Sequence, residues 1–165
     1  MAACFAAEPR GIVTFSSLHS LGNGTNKLSR STHSFENKAA TIERSLKRMK
    51  EEYHYNPELD NYTHIDAMVL NIERACQAAI DIAQHLVAEN HAGMPQTSAE
   101  SFILLEKSKI ISFDTSKAMV KMTGFRNIVI HEYQELDIEI LRAIAEKEYK
   151  TLMEFCRECG VSISI

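Results

Sequence analysis

The sequence has little proline and glycine and no tryptophan. Only three prolines and six glycines occur in 165 residues. Pro9, Gly11, Gly22 and Gly24 all lie in the first 24 positions. Because proline and glycine are the residues that most often interrupt helices, the chain from residue 36 onward can form long helices. We therefore expect an all-α domain.

The sequence also lacks long apolar runs. A membrane-spanning helix needs roughly 18 consecutive apolar residues, and no segment reaches that length. The N-terminus does not have the charged region followed by an apolar region that is typical of a secretory signal. We therefore expect a cytoplasmic protein without a membrane partner.

An excess of positive charge is missing as well, since the formal net charge is −4. Proteins that coat nucleic acid without sequence preference neutralise phosphates with many Lys and Arg side chains. This composition argues against such a role. Any action on nucleic acid must depend on a local site.

The cysteines do not form a recognisable metal-binding pattern. Cys156 and Cys159 make the only CxxC pair, and neither Cys4 nor Cys76 supplies a second pair. Structural zinc sites use four Cys or His ligands. We expect reduced thiols, no metal and no cofactor.

The composition divides the chain into three parts. Residues 1–35 are rich in serine and show no apolar periodicity, which indicates a flexible leader. Residues 36–160 carry the helical patterns and form the predicted domain. Residues 161–165 are a short C-terminal tail.

The predicted domain has five helical stretches with short connections. They cover 38–53, 62–89, a segment capped by Thr97 that runs through Lys107, a segment capped by Asp114 or Thr115, and a segment from Asp137 to Gly160. We expect Gly93 and Pro95 to end the second stretch. Helices of this length with short loops favour an up-down bundle of four to five helices.

The second stretch has a broad apolar face. Its apolar residues recur at helical spacing: Ile65, Met68, Val69, Ile72, Cys76, Ala79, Ile80, Ala83, Leu86 and Val87. Asp81 interrupts this pattern between two isoleucines. A carboxylate there is costly unless it is paired or exposed.

Reactive side chains concentrate in residues 126–133, Arg-Asn-Ile-Val-Ile-His-Glu-Tyr. His131 has a side-chain type that exchanges protons near neutral pH, and Arg126 can bind a phosphate through two hydrogen bonds. Asn127 precedes His131 by one helical turn and could orient substrate or the imidazole. The spacing alone is also explained by purely structural roles. Arg126 would then form an ion pair with a neighbouring acid, and His131 would cap the C-terminus of a helix.

The geometry of one helix does not bring Arg126 and His131 together. Five residues rotate an ideal helix by about 500°, which leaves the two positions about 140° apart. They converge only if the helix ends or bends between them, or if a second subunit completes the site. Gly124 and the polar run after His131 make a distorted helix end one of these alternatives.

Residues 122–133 resemble the R-x4-H-x-Y signature of HEPN proteins. More closely, the chain is similar to HepT, the toxin of the HepT–MntA (HEPN–minimal nucleotidyltransferase) family. The similarity covers roughly residues 37–158. It includes the blocks 71–85, 93–98 and 134–137, in the same order along the chain.

This resemblance implies a dimeric toxin of a type VII toxin–antitoxin system that cleaves RNA without a metal. Arg126 and His131 match the catalytic pair, which faces its copy across a two-fold axis. Tyr133 matches the tyrosine that an MntA-like nucleotidyltransferase modifies with AMP. Attack by a ribose 2′-OH would make RNA, and not DNA, the substrate.

Three further residues are candidates for supporting roles. Asp81 would orient Arg126 or His131 from the facing helix, or it is simply exposed at the flank. Lys117 and Lys121 precede the motif and could steer RNA phosphates towards it. The alternative function is a non-catalytic HEPN module that binds a nucleotidyltransferase partner, but a scaffold needs neither Arg126 nor His131.

Overall fold

A computed structural model describes residues 25–131 and 137–165, with side chains for 35–128 and 137–165. These residues form helices, and no strand occurs among them. The elements are α1 (Thr25–Tyr55), α2 (Tyr62–Glu89), α3 (Ser98–Lys107), α4 (Phe113–His131), α5 (Ile138–Ala143), a π-helical segment (Ile144–Glu148) and α6 (Tyr149–Glu158). The predicted all-α class is confirmed.

Helices α1 and α2 form an antiparallel hairpin. Near the connection, His64 Nδ1 lies 2.7 Å from Glu52 Oε2. At the far end, Lys38 Nζ donates to Asp81 Oδ2 at 2.8 Å. Since residues early in α1 contact residues late in α2, the two helices run in opposite directions, as the up-down prediction requires.

Helix α1 begins at Thr25, which is earlier than the predicted start at residue 38. The prediction was wrong because an isolated phenylalanine between serine and glutamate gave no visible period. Phe35 is only 1% exposed, and it starts a buried stripe in steps of four and three residues. The stripe consists of Phe35, Ala39, Ile42, Leu46 and Met49. The packed domain therefore includes Phe35, and residues 1–24 lie outside the described residues.

Helix α2 has the predicted bounds, Tyr62–Glu89. Asn61 caps its start, where the side-chain oxygen accepts a hydrogen bond from Thr63 N at 3.0 Å. Every residue of the predicted apolar stripe is buried. The helix ends before Gly93: Asn90 is the C-cap, and His91 adopts a left-handed φ of 51°. The prediction that Gly93 and Pro95 end this helix was therefore wrong.

Helix α3 begins as predicted, whereas the cap of α4 differs. Thr97 Oγ1 accepts from Glu100 N at 3.1 Å. At the start of α4, Ser112 Oγ accepts from Thr115 N at 3.2 Å, so Ser112 is the cap rather than Asp114 or Thr115. Glu158 Oε2 also accepts from Ser112 N at 2.8 Å. This bond joins the start of α4 to the end of α6.

The C-terminal helices run antiparallel to α1. Tyr53 Oη donates to Glu146 Oε1 at 2.7 Å, and Lys50 Nζ donates to Tyr149 Oη at 3.2 Å. Asp137 caps α5 as predicted, accepting from Glu139 N at 2.8 Å. The π-helical segment was not predicted. The tail beyond Gly160 contributes Ile163 to the core.

The core joins all of these helices and includes Leu141, Ala145, Leu152 and Cys156 of the C-terminal segment. The Phe102 and Phe155 rings pack edge to face at 5.4 Å, linking α3 to α6. None of the described helices is long and apolar enough to cross a membrane.

Candidate functional site

Helix α4 presents the predicted catalytic positions. It remains helical from Phe113 to His131, so it does not end between Arg126 and His131. The two positions then differ by about 140° around an ideal helix. A helix end between Arg126 and His131, which would let a single chain bring the two side chains together, is therefore excluded.

Arg126 lies on the side of α4 that faces α2. Its Nε is buried and has no hydrogen-bond partner within the described part of the chain. A buried N–H without an acceptor costs about 1–3 kcal/mol. An anionic oxygen bound at this guanidinium would offset that cost.

Cys76 of α2 lies close enough to Arg126 to interact with its charge, which shows that Arg126 is near α2. Burial raises the pKa of the Cys76 thiol to about 12, and the positive charge of Arg126 acts in the opposite direction. The thiol is therefore protonated at neutral pH and serves as a small apolar contact. This contact could not be predicted from the sequence, because it depends on how α4 packs on α2.

The predicted steering lysines lie away from Arg126. Lys117 and Lys121 are both exposed. On an ideal helix Lys117 is about 180° from Arg126 and only about 40° from the position of His131. Asn127 is also exposed. The lysines of α4 are therefore closer to the helical position of His131 than to that of Arg126.

Asp81 lies in the groove between α1 and α2. Its Oδ2 accepts from Lys38 Nζ at 2.8 Å, and its Oδ1 accepts from Gln77 Nε2 at 2.7 Å. Among the described side chains, the structure brings Asp81 to these two and not to Arg126. The side chain of His131 and the whole of Tyr133 lie outside the described residues.

The cysteine side chains of the CxxC pair point into the core. Burial raises the pKa of Cys156 to about 12 and raises that of Cys159 further above its ordinary value. Both thiols are free. Within the described residues, no group of three or more His, Cys, Asp or Glu side chains could hold a metal ion.

A cavity of about 210 Å³ opens between α4, α2 and the C-terminal helices. Ile72 and Cys76 of α2, Phe125 of α4, and Ile140 and Ile144 of the C-terminal helices are among its lining residues. Sequence reasoning missed this feature. Part of its wall is the π-helical segment, whose composition resembles that of an ordinary helix.

Comparison with known proteins identifies the family of this fold. The family model described as ribonuclease HepT-like matches residues 38–159. The mRNA nuclease HepT of Shewanella oneidensis is 37% identical over 120 residues, which is 72% of this chain and 90% of the relative. The tRNA nuclease HepT of Aphanizomenon flos-aquae is 35% identical over 86 residues, covering 50% of this chain and 58% of the relative.

Solved structures agree with the sequence comparison. A crystal structure of a toxin–antitoxin with AMP-PNP has a TM-score of 0.73 and 34% identity, covering 76% of this chain and 96% of that chain. A tri-AMPylated HEPN toxin of Shewanella oneidensis, in complex with MNT antitoxin, has a TM-score of 0.72 and 35% identity, covering 76% and 95% respectively. The chain therefore belongs to the ribonuclease HepT-like family.

Proposed function

We propose that this ribonuclease is the toxin of a toxin–antitoxin pair, that two copies together form its RNA-cleaving site, and that a nucleotidyltransferase silences it by attaching AMP to Tyr133. The observation that carries the proposal is the unbroken helix α4, which holds Arg126 and His131 on different sides. The relatives, which are RNA nucleases and antitoxin-bound toxins, supply the reaction class.

The proposed chemistry needs two protein groups. The imidazole of His131 removes the proton from a ribose 2′-OH, which then attacks the adjacent phosphorus. The P–O5′ bond breaks, a 2′,3′-cyclic phosphate forms, and the leaving 5′-oxygen takes a proton from water or from the protonated imidazole. Arg126 stabilises the negative charge that grows on the phosphate oxygens. DNA lacks the 2′-OH and is not a substrate.

The proposed homodimer solves the geometric problem. In a two-fold dimer, Arg126 of one copy can face His131 of the other. Lys117 and Lys121 then border the site on the side of His131 and attract RNA phosphates. Asn127, one residue after Arg126 and exposed, is placed to contact the RNA or the partner copy.

Adenylylation of Tyr133 is proposed as the off switch. Each AMP unit adds a negative phosphodiester beside a site that must accept RNA phosphate, so repulsion and bulk oppose substrate binding.

The test of this switch is the mass of the protein after coexpression with its cognate nucleotidyltransferase. Wild-type protein is expected to gain the mass of one or more adenylyl groups, and Tyr133→Phe is expected to gain none. Tyr62→Phe is the matched control, since Tyr62 is 80% exposed and lies at the start of α2. An equal gain on wild type and Tyr133→Phe would show that the modified residue is another one.

We also propose that Asp81 supports catalysis beyond its pair with Lys38. Asp81→Asn is expected to lower RNA cleavage, while the free energy of unfolding changes by less than about 1 kcal/mol because the ion pair is partly exposed. Lys38→Met removes the other half of the same pair and is the matched control. If Lys38→Met lowers cleavage as much as Asp81→Asn does, Asp81 acts only through Lys38, and full activity of Asp81→Asn would contradict a catalytic role.

A further inference from the structure

The cavity between α4 and the C-terminal helices combines an apolar floor with a polar rim. Ile72 and Leu152 form part of the floor and are 2% and 5% exposed. Lys121 and Glu148 stand at the rim and are exposed. A cavity with this division suits a ligand that has a flat apolar part and a charged part.

The size of the cavity limits that ligand to one ring system. Pockets for drug-sized ligands have volumes of about 300–1,000 Å³. The volume here is about 210 Å³. The aromatic side chains of Phe125 and Tyr149 line it and offer ring surfaces for a planar group. A peptide helix would need a longer apolar groove than this.

A π-helical turn forms part of the wall, through Ile144 and Glu148. Such turns occur mostly as single insertions in α-helices and are frequent at functional sites. Glu148 can accept a hydrogen bond from an amine on the ring, and Lys121 can pair with a phosphate. Adenine carries such an amine, and AMP carries the phosphate.

Phe125, on the wall of the cavity, and Tyr133 are eight residues apart in the sequence. Phe125 and His131 are about 9 Å apart along α4. The two peptide units from His131 to Tyr133 extend at most about 7 Å further. An adenylyl group on a tyrosine side chain adds its own length to that span. Ile140, 42% exposed, lines the cavity from the C-terminal side of Tyr133.

We propose that this cavity is an adenine-binding pocket that receives the base of the AMP attached to Tyr133, which rests on the proposed function above. Docking of the base holds the added phosphate against α4 beside Lys121, where it occupies the path of RNA. A short tether raises the local concentration of the base to about millimolar. Weak binding of the free nucleotide is then sufficient.

The direct test uses unmodified protein labelled at its isoleucine methyl groups and titrated with AMP by NMR. Ile140 and Ile144 signals are expected to shift and saturate in the millimolar range. Ribose 5-phosphate, which lacks the base, is expected to cause much smaller shifts. Ile42, in the core stripe of α1, should not move. Equal shifts with both compounds, or none at Ile140 and Ile144, would overturn the proposal.

A variant that fills the cavity gives the matched comparison. Ala118 lines it from α4, so Ala118→Leu is expected to abolish the AMP-induced shifts. Ala88→Leu places the same side chain at an exposed position of α2 and is expected to retain them. An unchanged Ile42 signal shows that each variant is folded. Retention of the shifts in Ala118→Leu would place AMP elsewhere.

The inhibitory role is tested on proteins adenylylated to the same mass. Modified Ala118→Leu is expected to cleave RNA at least fivefold faster than modified wild type, while the unmodified forms are equal. Equal cleavage by the modified forms would contradict the docking step. Inhibition of Tyr133→Phe by free AMP would support the pocket and assign its ligand to the free nucleotide. The methyl titration needs neither Tyr133 nor RNA, so its result does not depend on the toxin proposal.

Discussion

His131→Ala is expected to reduce RNA cleavage by at least about 100-fold and to remove toxicity, with little effect on folding. A positioned proton-transfer group contributes roughly 10²–10⁴ to the rate of such reactions. Alanine cannot take the proton of the 2′-OH. Alanine is the strongest helix former, so the substitution preserves the helical backbone of α4 at residue 131.

Arg126→Ala is expected to reduce RNA cleavage by a comparable factor, through a different mechanism. Removing one donor that stabilises transition-state charge costs about 10²–10³ in rate. Arg126→Lys keeps the charge but loses the fork that binds two phosphate oxygens, so it should recover only part of the activity. Full recovery would show that charge alone matters at this position.

Growth after induced expression and cleavage of a purified RNA measure these variants. His54→Ala is the control, since His54 is exposed at the far end of α1. Circular dichroism should give the same unfolding midpoint for wild type, His54→Ala and His131→Ala. If cells expressing His131→Ala and wild type are inhibited alike, His131 is not a catalytic group.

The sequence predicts helices well where local signals agree. The bounds of α2 agree with the predicted stretch 62–89, because its apolar residues recur at helical spacing over the whole length. The start of α1 could not be predicted, because Phe35 becomes meaningful only once it packs against other helices. The π-helical segment is hidden for a similar reason: Ile144–Glu148 consists of good helix formers.

The catalytic roles of the candidate site residues stay a prediction. Similarity to a family indicated Arg126 and His131, since their spacing alone is equally typical of an ion pair and a helix cap. The sequence could not reveal the buried Nε of Arg126 or its neighbour Cys76. Both depend on the packing of α4 against α2. The ion pair of Asp81 with Lys38 depends in the same way on the packing of α1 against α2, because the two residues are 43 positions apart in the sequence.

Mixing two inactive variants is expected to restore activity if the site spans two copies. In a heterodimer of Arg126→Ala and His131→Ala, one site loses both groups and the other retains both. Random exchange makes about half of the dimers mixed, and each has one intact site of two, so about a quarter of wild-type cleavage should return. A site within one chain predicts no recovery, because every chain lacks one group.

The double variant Arg126→Ala/His131→Ala gives the opposite test. When it exchanges with an equal amount of wild type, every mixed dimer loses one group from each shared site. Only wild-type homodimers remain active, which leaves about a quarter of the cleavage of an all-wild-type sample. Sites within single chains would leave about half. Cleavage rates after coexpression with two different tags, at matched total protein, distinguish the two values. No recovery in the first mixture together with half activity in the second would contradict a shared site, because only a site within one chain predicts that pair of results.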